Sequence, residues 1–163
     1  MKRLRTASLC LAAALTLAAC SSGPKKPQPA DLGPATQLMG TRQIWTANVG
    51  EGGSGFVPVH AAGHVFAAGA TGVVAAIDAN TGADAWRVDL RTRLATGVGS
   101  DGQTAAVVTA ANVLVAIVDG ETRWRVRLPA RSFTPPLVAG GRVFVLTADR
   151  SVVAFDAANG ARL

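Results

Sequence analysis

The sequence predicts an all-β fold, a partial β-propeller made of four-stranded blades. Three observations carry that reading. Tryptophans stand at 45, 86 and 124, with spacings of 41 and 38 residues. The residues around them recur with them, and a period near forty is that of a propeller blade. Between recurrences the chain divides into apolar segments of strand length, separated by Gly, Asn and Asp.

The elements follow in chain order. Met1–Arg5 is short and basic, and Ala7–Ala19 is an uncharged apolar run broken only by Ser8 and Thr16. That run falls short of the roughly 20 apolar residues a helix needs to span a bilayer, and it suits a secretory leader. Leu17-Ala18-Ala19-Cys20 closes it with small residues before a cysteine, which resembles a bacterial lipobox. Residues 1–19 are therefore expected to be a lipoprotein signal peptide, and Cys20 the site of lipidation. Each buried methylene of such a lipid contributes about 0.8 kcal/mol, so two or three chains hold a protein to a membrane. Ser21, rather than Asp, follows the cysteine; by resemblance to enterobacterial sorting rules this directs the protein to the outer membrane. Cys10 lies within the leader, so the mature chain would carry no free thiol and no disulfide.

Residues 20–41 hold half of the eight prolines, at 24, 27, 29 and 34. This stretch reads as an extended, solvated tether. Residues 42–163 read as the propeller part. Gln43–Val49, around Trp45, reads as an isolated closing strand, the last of a blade. The first blade has strands at about 56–61, 64–69, 73–78 and 84–90, with turn Ala79-Asn80-Thr81-Gly82 and Trp86 in the outer strand. The second has strands at about 95–100, 104–109, 113–118 and 122–128, with Trp124. Its turn, Asp119-Gly120, is two residues shorter. Asp-Gly is a favoured two-residue hairpin turn, and a difference of two preserves the alternation of side chains between faces. The third has strands at about 134–139, 142–147 and 151–156, with Gly160 where the earlier copies have Gly82 and Gly120. A fourth tryptophan is expected one residue after Leu163, so the chain reads as an N-terminal fragment: a closing strand and about 2.75 blades. A stack this short leaves faces uncovered and is expected to be marginal or prone to aggregate when expressed alone.

The alternating Trp86-Arg87-Val88-Asp89-Leu90 and Trp124-Arg125-Val126-Arg127-Leu128 suit strands with one wet face. Val73–Ile77 and Val113–Val118 are almost wholly apolar, which suits strands buried on both faces. The tryptophans read as blade-to-blade packing residues, and Gly82, Gly120 and Gly160 read as the turn glycines of the same structural repeat.

Charge excludes one class of function. The formal charge is +6, but setting aside Lys2, Arg3, Arg5, Lys25 and Lys26, which precede the folded part, leaves 11 basic against 10 acidic residues in the chain. That balance gives no support to nucleic-acid binding. Chemical motifs are equally sparse. Gly97-Val98-Gly99-Ser100-Asp101-Gly102 matches a dinucleotide fingerprint, but a strand follows where a helix is required. His60 and His64 are spaced to share a helical face, yet a turn lies between them. Asp78–Gly82 superficially resembles a calcium loop but lacks the later bidentate acid, so an Asx turn is the better reading. No catalytic, cofactor-binding or metal residue is assigned.

The unit Val74-Ala75-Ala76-Ile77-Asp78-Ala79-Asn80-Thr81-Gly82-Ala83-Asp84-Ala85-Trp86 resembles the repeat of pyrroloquinoline-quinone-type (PQQ-like) propellers. With the lipobox, the Pro-rich tether and the opening Ile44-Trp45-Thr46-Ala47-Asn48-Val49-Gly50, the chain resembles the BamB family. These are lipoprotein propellers of the outer-membrane β-barrel assembly machinery. The resemblance implies an eight-bladed propeller of which this chain supplies less than half. It implies a non-catalytic scaffold on the periplasmic face of the outer membrane, without cofactor. Its partners would be the periplasmic domains of BamA, other assembly-complex components and unfolded outer-membrane protein clients. No partner-binding residue is carried over. Two other functions share the repeat: a quinone-dependent dehydrogenase, and a periplasmic ligand-binding or stress-sensing propeller. The first would need a catalytic acid, calcium ligands and, often, adjacent cysteines, and the mature chain has no cysteine pair.

Overall fold

The computed structural model describes residues 29–31, 33 and 40–163. Cys20, the leader and most of the tether lie outside the described residues. Arg42–Leu163 forms one compact unit.

That unit is three antiparallel sheets. The first joins β1 (Val59–Ala61), β2 (His64–Ala68), β3 (Val73–Asp78) and β4 (Asp84–Asp89) in chain order. The second joins β5 (Gly99–Ser100), β6 (Thr104–Val108), β7 (Val113–Val118) and β8 (Glu121–Arg127), again in chain order. The third joins β9 (Leu137–Ala139), β10 (Arg142–Leu146) and β11 (Val152–Asp156), and a lone bridge between Phe155 and Arg162 begins a fourth strand. Each sheet is a meander, as expected where short turns join successive strands. The sheets are the blades of a partial β-propeller.

Registers repeat from blade to blade. Phe66 faces Ala76 in the first, Ala106 faces Ala116 in the second, and Phe144 faces Ala154 in the third. Both complete blades carry a bulge at the same place, between Ala76 and Ile77 and between Ala116 and Ile117. The Asp119-Gly120 turn has φ of 50° and 81°, the left-handed pair that such a hairpin needs.

The innermost strands are shorter than expected. β1 starts at Val59 and β9 at Leu137, each directly after a proline, Pro58 or Pro136. Proline has no N–H to offer a ladder, so pairing begins after it. β5 is cut for a different reason. Leu94 bridges Thr109 and Gly99 pairs with Ala106, leaving extra residues between. There the Gly97 N–H turns away and donates to the Gly55 carbonyl before the first blade (3.0 Å). Gln43–Val49, the expected closing strand, forms no ladder with any described residue. A strand exists only as one side of a ladder. Its alternation survives, with Trp45, Ala47 and Val49 half-buried and Ile44, Thr46 and Asn48 exposed.

Two apolar layers hold the blades together. Phe66, Ala68, Val74 and Ala76 of the first blade pack on Val98, Ala105, Val107, Val115 and Ile117 of the second. Ala106, Val108 and Leu114 of the second pack on Val138, Val143, Val145, Val153 and Phe155 of the third. β6 and β7 therefore serve both layers, which is why they are buried throughout or nearly so. The connector entering each blade is latched to that blade's β-turn. Ala70, Ala110 and Ala148 donate their N–H groups to the carbonyls of Glu51, Arg93 and Arg131 at 2.6, 2.8 and 2.7 Å.

Candidate functional site: the seams between blades

The residues singled out by their repetition meet at the seams. Each tryptophan stands over the turn glycine of the next repeat. A Cβ on Gly82 would lie 2.6 Å from Trp45 Cγ, one on Gly120 would lie 3.1 Å from Trp86 Cβ, and one on Gly160 would lie 2.7 Å from Trp124 Cδ2. The three glycines also have φ of +75°, +81° and +75°. Glycine is required twice over, for the left-handed backbone and for the room it leaves the indole. Trp45 thus occupies against the first blade the place that Trp86 and Trp124 occupy against the second and third.

Two seams carry a further bond. Trp45 Nε1 donates to the Ala79 carbonyl at 2.9 Å, and Trp124 Nε1 donates to the Ala157 carbonyl at 2.8 Å. Trp86 makes no such bond among the described residues. The difference lies in the turn. Ala79 and Ala157 sit in long turns nucleated by Asp78 and Asp156, and the turn facing Trp86 is the short Asp119-Gly120. The Asp78 carboxylate accepts from the N–H groups of Asn80 and Thr81 at 3.0 and 2.8 Å, and from Thr81 Oγ1 at 3.0 Å. Asp156 accepts from Ala158 and Asn159 at 2.9 and 3.1 Å. A neutral amide–carbonyl bond is worth about 1 kcal/mol. Trp45→Phe and Trp124→Phe should therefore each lose about 1 kcal/mol more than Trp86→Phe in urea unfolding. Equal losses at all three positions would contradict the role given to the indole N–H.

The donors around Asp78, Thr81 foremost, hold its carboxyl below the usual carboxylate range, and His64 across the ladder adds to this. Its folded value is depressed, so its contribution is present above the unfolded value and fades as pH falls through the folded one. Asp78→Asn should flatten the acid limb of a plot of urea midpoint against pH, leaving the shape near neutrality unchanged. The same donors fit the Asx-turn reading of this loop.

The other motifs resolve as follows. Gly97–Gly102 runs through β5 into a turn and then β6, and among the described residues no helix terminus faces it. His60 lies in β1 opposite Val65, and His64 in β2 opposite Ala61, with its Nδ1 3.0 Å from the Ala62 carbonyl oxygen. Among the described residues no three potential metal ligands converge.

Sequence reasoning missed two sets of residues. Gly69, Gly97 and Gly99 allow backbones near the inner strands to approach closely: a Cβ on them would meet Val49 O at 2.0 Å, Gly55 O at 2.7 Å and Pro136 O at 1.8 Å. The only signal was glycine beside a strand, which is common to many turns. From the sequence Arg87 reads as a strand-face charge. It grips Asp84 with Nε and Nη2 at 2.7 and 2.9 Å and reaches the Asn48 carbonyl with Nη1 at 3.0 Å. The pair holds the Asp84 carboxyl low and the guanidinium high. Arg87 straps the first blade to the stretch before it.

Comparison with known proteins places this arrangement. The family model described as outer membrane protein assembly factor BamB matches residues 39–90 and 70–163. An assembly factor of that name from Burkholderia pseudomallei is 40% identical over 98% of this chain, which spans 43% of that relative. One from Bordetella pertussis is 37% identical over 91% of this chain and 40% of its own length. The crystal structure of BamB from Moraxella catarrhalis superposes with a TM-score of 0.58 at 28% identity, over 66% of this chain and 34% of that one. A quinohemoprotein alcohol dehydrogenase from Pseudomonas putida HK5 superposes at 0.52 with 24% identity, over 64% of this chain and 19% of that one, a likeness of fold alone. The chain thus spans less than half the length of these relatives. With a family model matched over residues 39–90 and 70–163 and relatives at 40% and 37% identity, the chain belongs to the BamB family of outer membrane protein assembly factors.

Proposed function

We propose that this chain contributes to a non-catalytic scaffold in outer-membrane protein assembly. The observation that carries the reading is the 40% identity sustained over 98% of the chain with an assembly factor. The structure supports it in kind. Its repeated residues are spent on packing blades, and its turn carboxylates are occupied by backbone donors. A rigid stack of sheets offers loops and edges to other chains.

In this reading residues 1–19 are a signal peptide, Cys20 carries the lipid, residues 20–41 are the tether and 42–163 the propeller part. The protein sits on the periplasmic face of the outer membrane. It works with the periplasmic domains of BamA, with other components of the assembly complex and with unfolded outer-membrane clients. It uses no cofactor and does not bind nucleic acid.

The experiment is a labelled-palmitate and membrane-fractionation assay on the parent and Cys20→Ala, paired with affinity capture of the lipidated protein from cells. The parent should take up label, sediment with outer membrane and bring BamA with it. Cys20→Ala should lose label and sedimentation. Label retained by Cys20→Ala would overturn the anchor, and capture without BamA would overturn the assembly role.

A further inference from the structure

The outer strands of the two complete blades occupy equivalent places but differ in charge. In β4, Arg87 is held by Asp84, and Asp89 follows two residues on. In β8 the equivalent positions are Arg125 and Arg127, as the registers show: Arg87 faces Ala75 and Asp89 faces Val73, where Arg125 faces Val115 and Arg127 faces Val113. Thr122 stands where β4 has Asp84, each opposite the isoleucine next to the bulge. Arg125 and Arg127 are exposed and form no ion pair among the described residues.

β8 is also the edge of its sheet. The direction of its backbone follows from the ladder. The Leu128 N–H donates to the Asn112 carbonyl at 3.0 Å, and the Leu128 carbonyl accepts from Asn112 Nδ2 at 3.2 Å, so the main-chain groups of Leu128 face the β7 side. In an antiparallel ladder bonded pairs alternate with non-bonded ones. Leu114 with Val126 and Ala116 with Trp124 are then bonded pairs. The N–H and C=O groups of Arg125 and Arg127 point off the free edge. Two residues thus present unpaired main-chain groups and unneutralised guanidinium groups together, on side chains two apart and sharing a face.

We propose that the free edge of β8 is a docking edge for an acidic extended segment of another protein. The segment adds as a strand, with its main chain paired to Arg125 and Arg127 and its carboxylates set at alternate positions against the two guanidinium groups. Strand addition supplies affinity through main-chain bonds and specificity through alternate side chains, and arginine is the residue suited to carboxylates. The edge of β4, with Asp89 in the place of Arg127 and Arg87 already engaged, does not offer this. Charged residues on an edge also keep foreign strands away. An edge that only repels would accept no strand of either charge. The proposal is independent of the assembly role, and its test does not use assembly.

The test uses the purified full chain and a fluorescein-labelled peptide of about ten residues alternating Glu with Val, read by fluorescence anisotropy. Controls are the same peptide with Lys for Glu, the Glu peptide N-methylated at alternate residues, and vesicles of phosphatidylglycerol. The Glu peptide should bind. Binding should fall at least about tenfold for Arg125→Glu/Arg127→Glu and for the N-methylated peptide, survive Arg125→Lys/Arg127→Lys better than the Glu exchange, and weaken with salt. Both sites are exposed, and circular dichroism of each variant confirms folding. Three results overturn the proposal: no binding of any peptide, equal binding of the Lys peptide, or vesicle binding that depends on these arginines while the Glu peptide does not bind.

Discussion

Phe155→Ala should cost about 3–5 kcal/mol, enough to remove most of the stability of a fold of this size. Phe155 is 1% exposed and lies in the layer between the second and third blades. Its ring centroid is 6.5 Å from that of Trp124. The cavity left by truncation would sit between two sheets, whose backbones are fixed by their own ladders and cannot close on it. The comparison that gives the measurement its meaning is Phe144→Ala. Phe144 is in the same blade, on the neighbouring strand, one residue out of register with Phe155, which faces Val143. It therefore points to the other face and is only half-buried. Its truncation should cost less, about 1–2 kcal/mol. Urea midpoints measured side by side decide the point. Similar shifts for the two phenylalanines would mean that the sheet faces are assigned wrongly.

Gly99→Ala should destabilise by roughly 3 kcal/mol, with expanded packing around the inner strands. The added methyl would fall 1.8 Å from the Pro136 carbonyl oxygen and 2.8 Å from its carbon. Both belong to backbone, and Pro136 is buried, so neither can swing aside. The second and third blades must separate where β5 meets the approach to β9. Gly53→Ala is the control, because a methyl there meets nothing within 4 Å. A Gly99→Ala protein as stable as Gly53→Ala would show that the inner strands are free to part.

Much of this fold is legible in the sequence because the strongest signals are local. The apolar run Val113–Val118 between an Asn and an Asp-Gly turn leaves little alternative to a buried strand followed by a hairpin. The blade period is legible because it is written three times. The starts of β1 and β9 are harder, since Pro58 and Pro136 stand inside runs whose side-chain pattern continues past them. The pattern reports burial, whereas the ladder requires an N–H. Gln43–Val49 shows the same split: its alternation was readable, but pairing depends on another strand. The close approach at Gly99 was not readable at all. It depends on Pro136, thirty-seven residues away, and nothing local marks it. Arg87 was hidden for a like reason, because its acceptor is the main chain at Asn48, and a carbonyl has no letter in a sequence. For the seams, the tryptophans were visible as a period, while the absence of an indole bond at Trp86 became visible only once the two turn lengths were set in space.

The latches from Ala70, Ala110 and Ala148 to Glu51, Arg93 and Arg131 join main chain to main chain. They bind peptide groups and are blind to what hangs from them. Duplicated blades joined this way can drift in their interiors without losing the joint, as the interchange of Phe, Ala and Phe at 66, 106 and 144 illustrates. The spacing of the joints is then fixed while the filling varies, and one rim can carry Arg125 and Arg127 where the other carries Arg87 and Asp89.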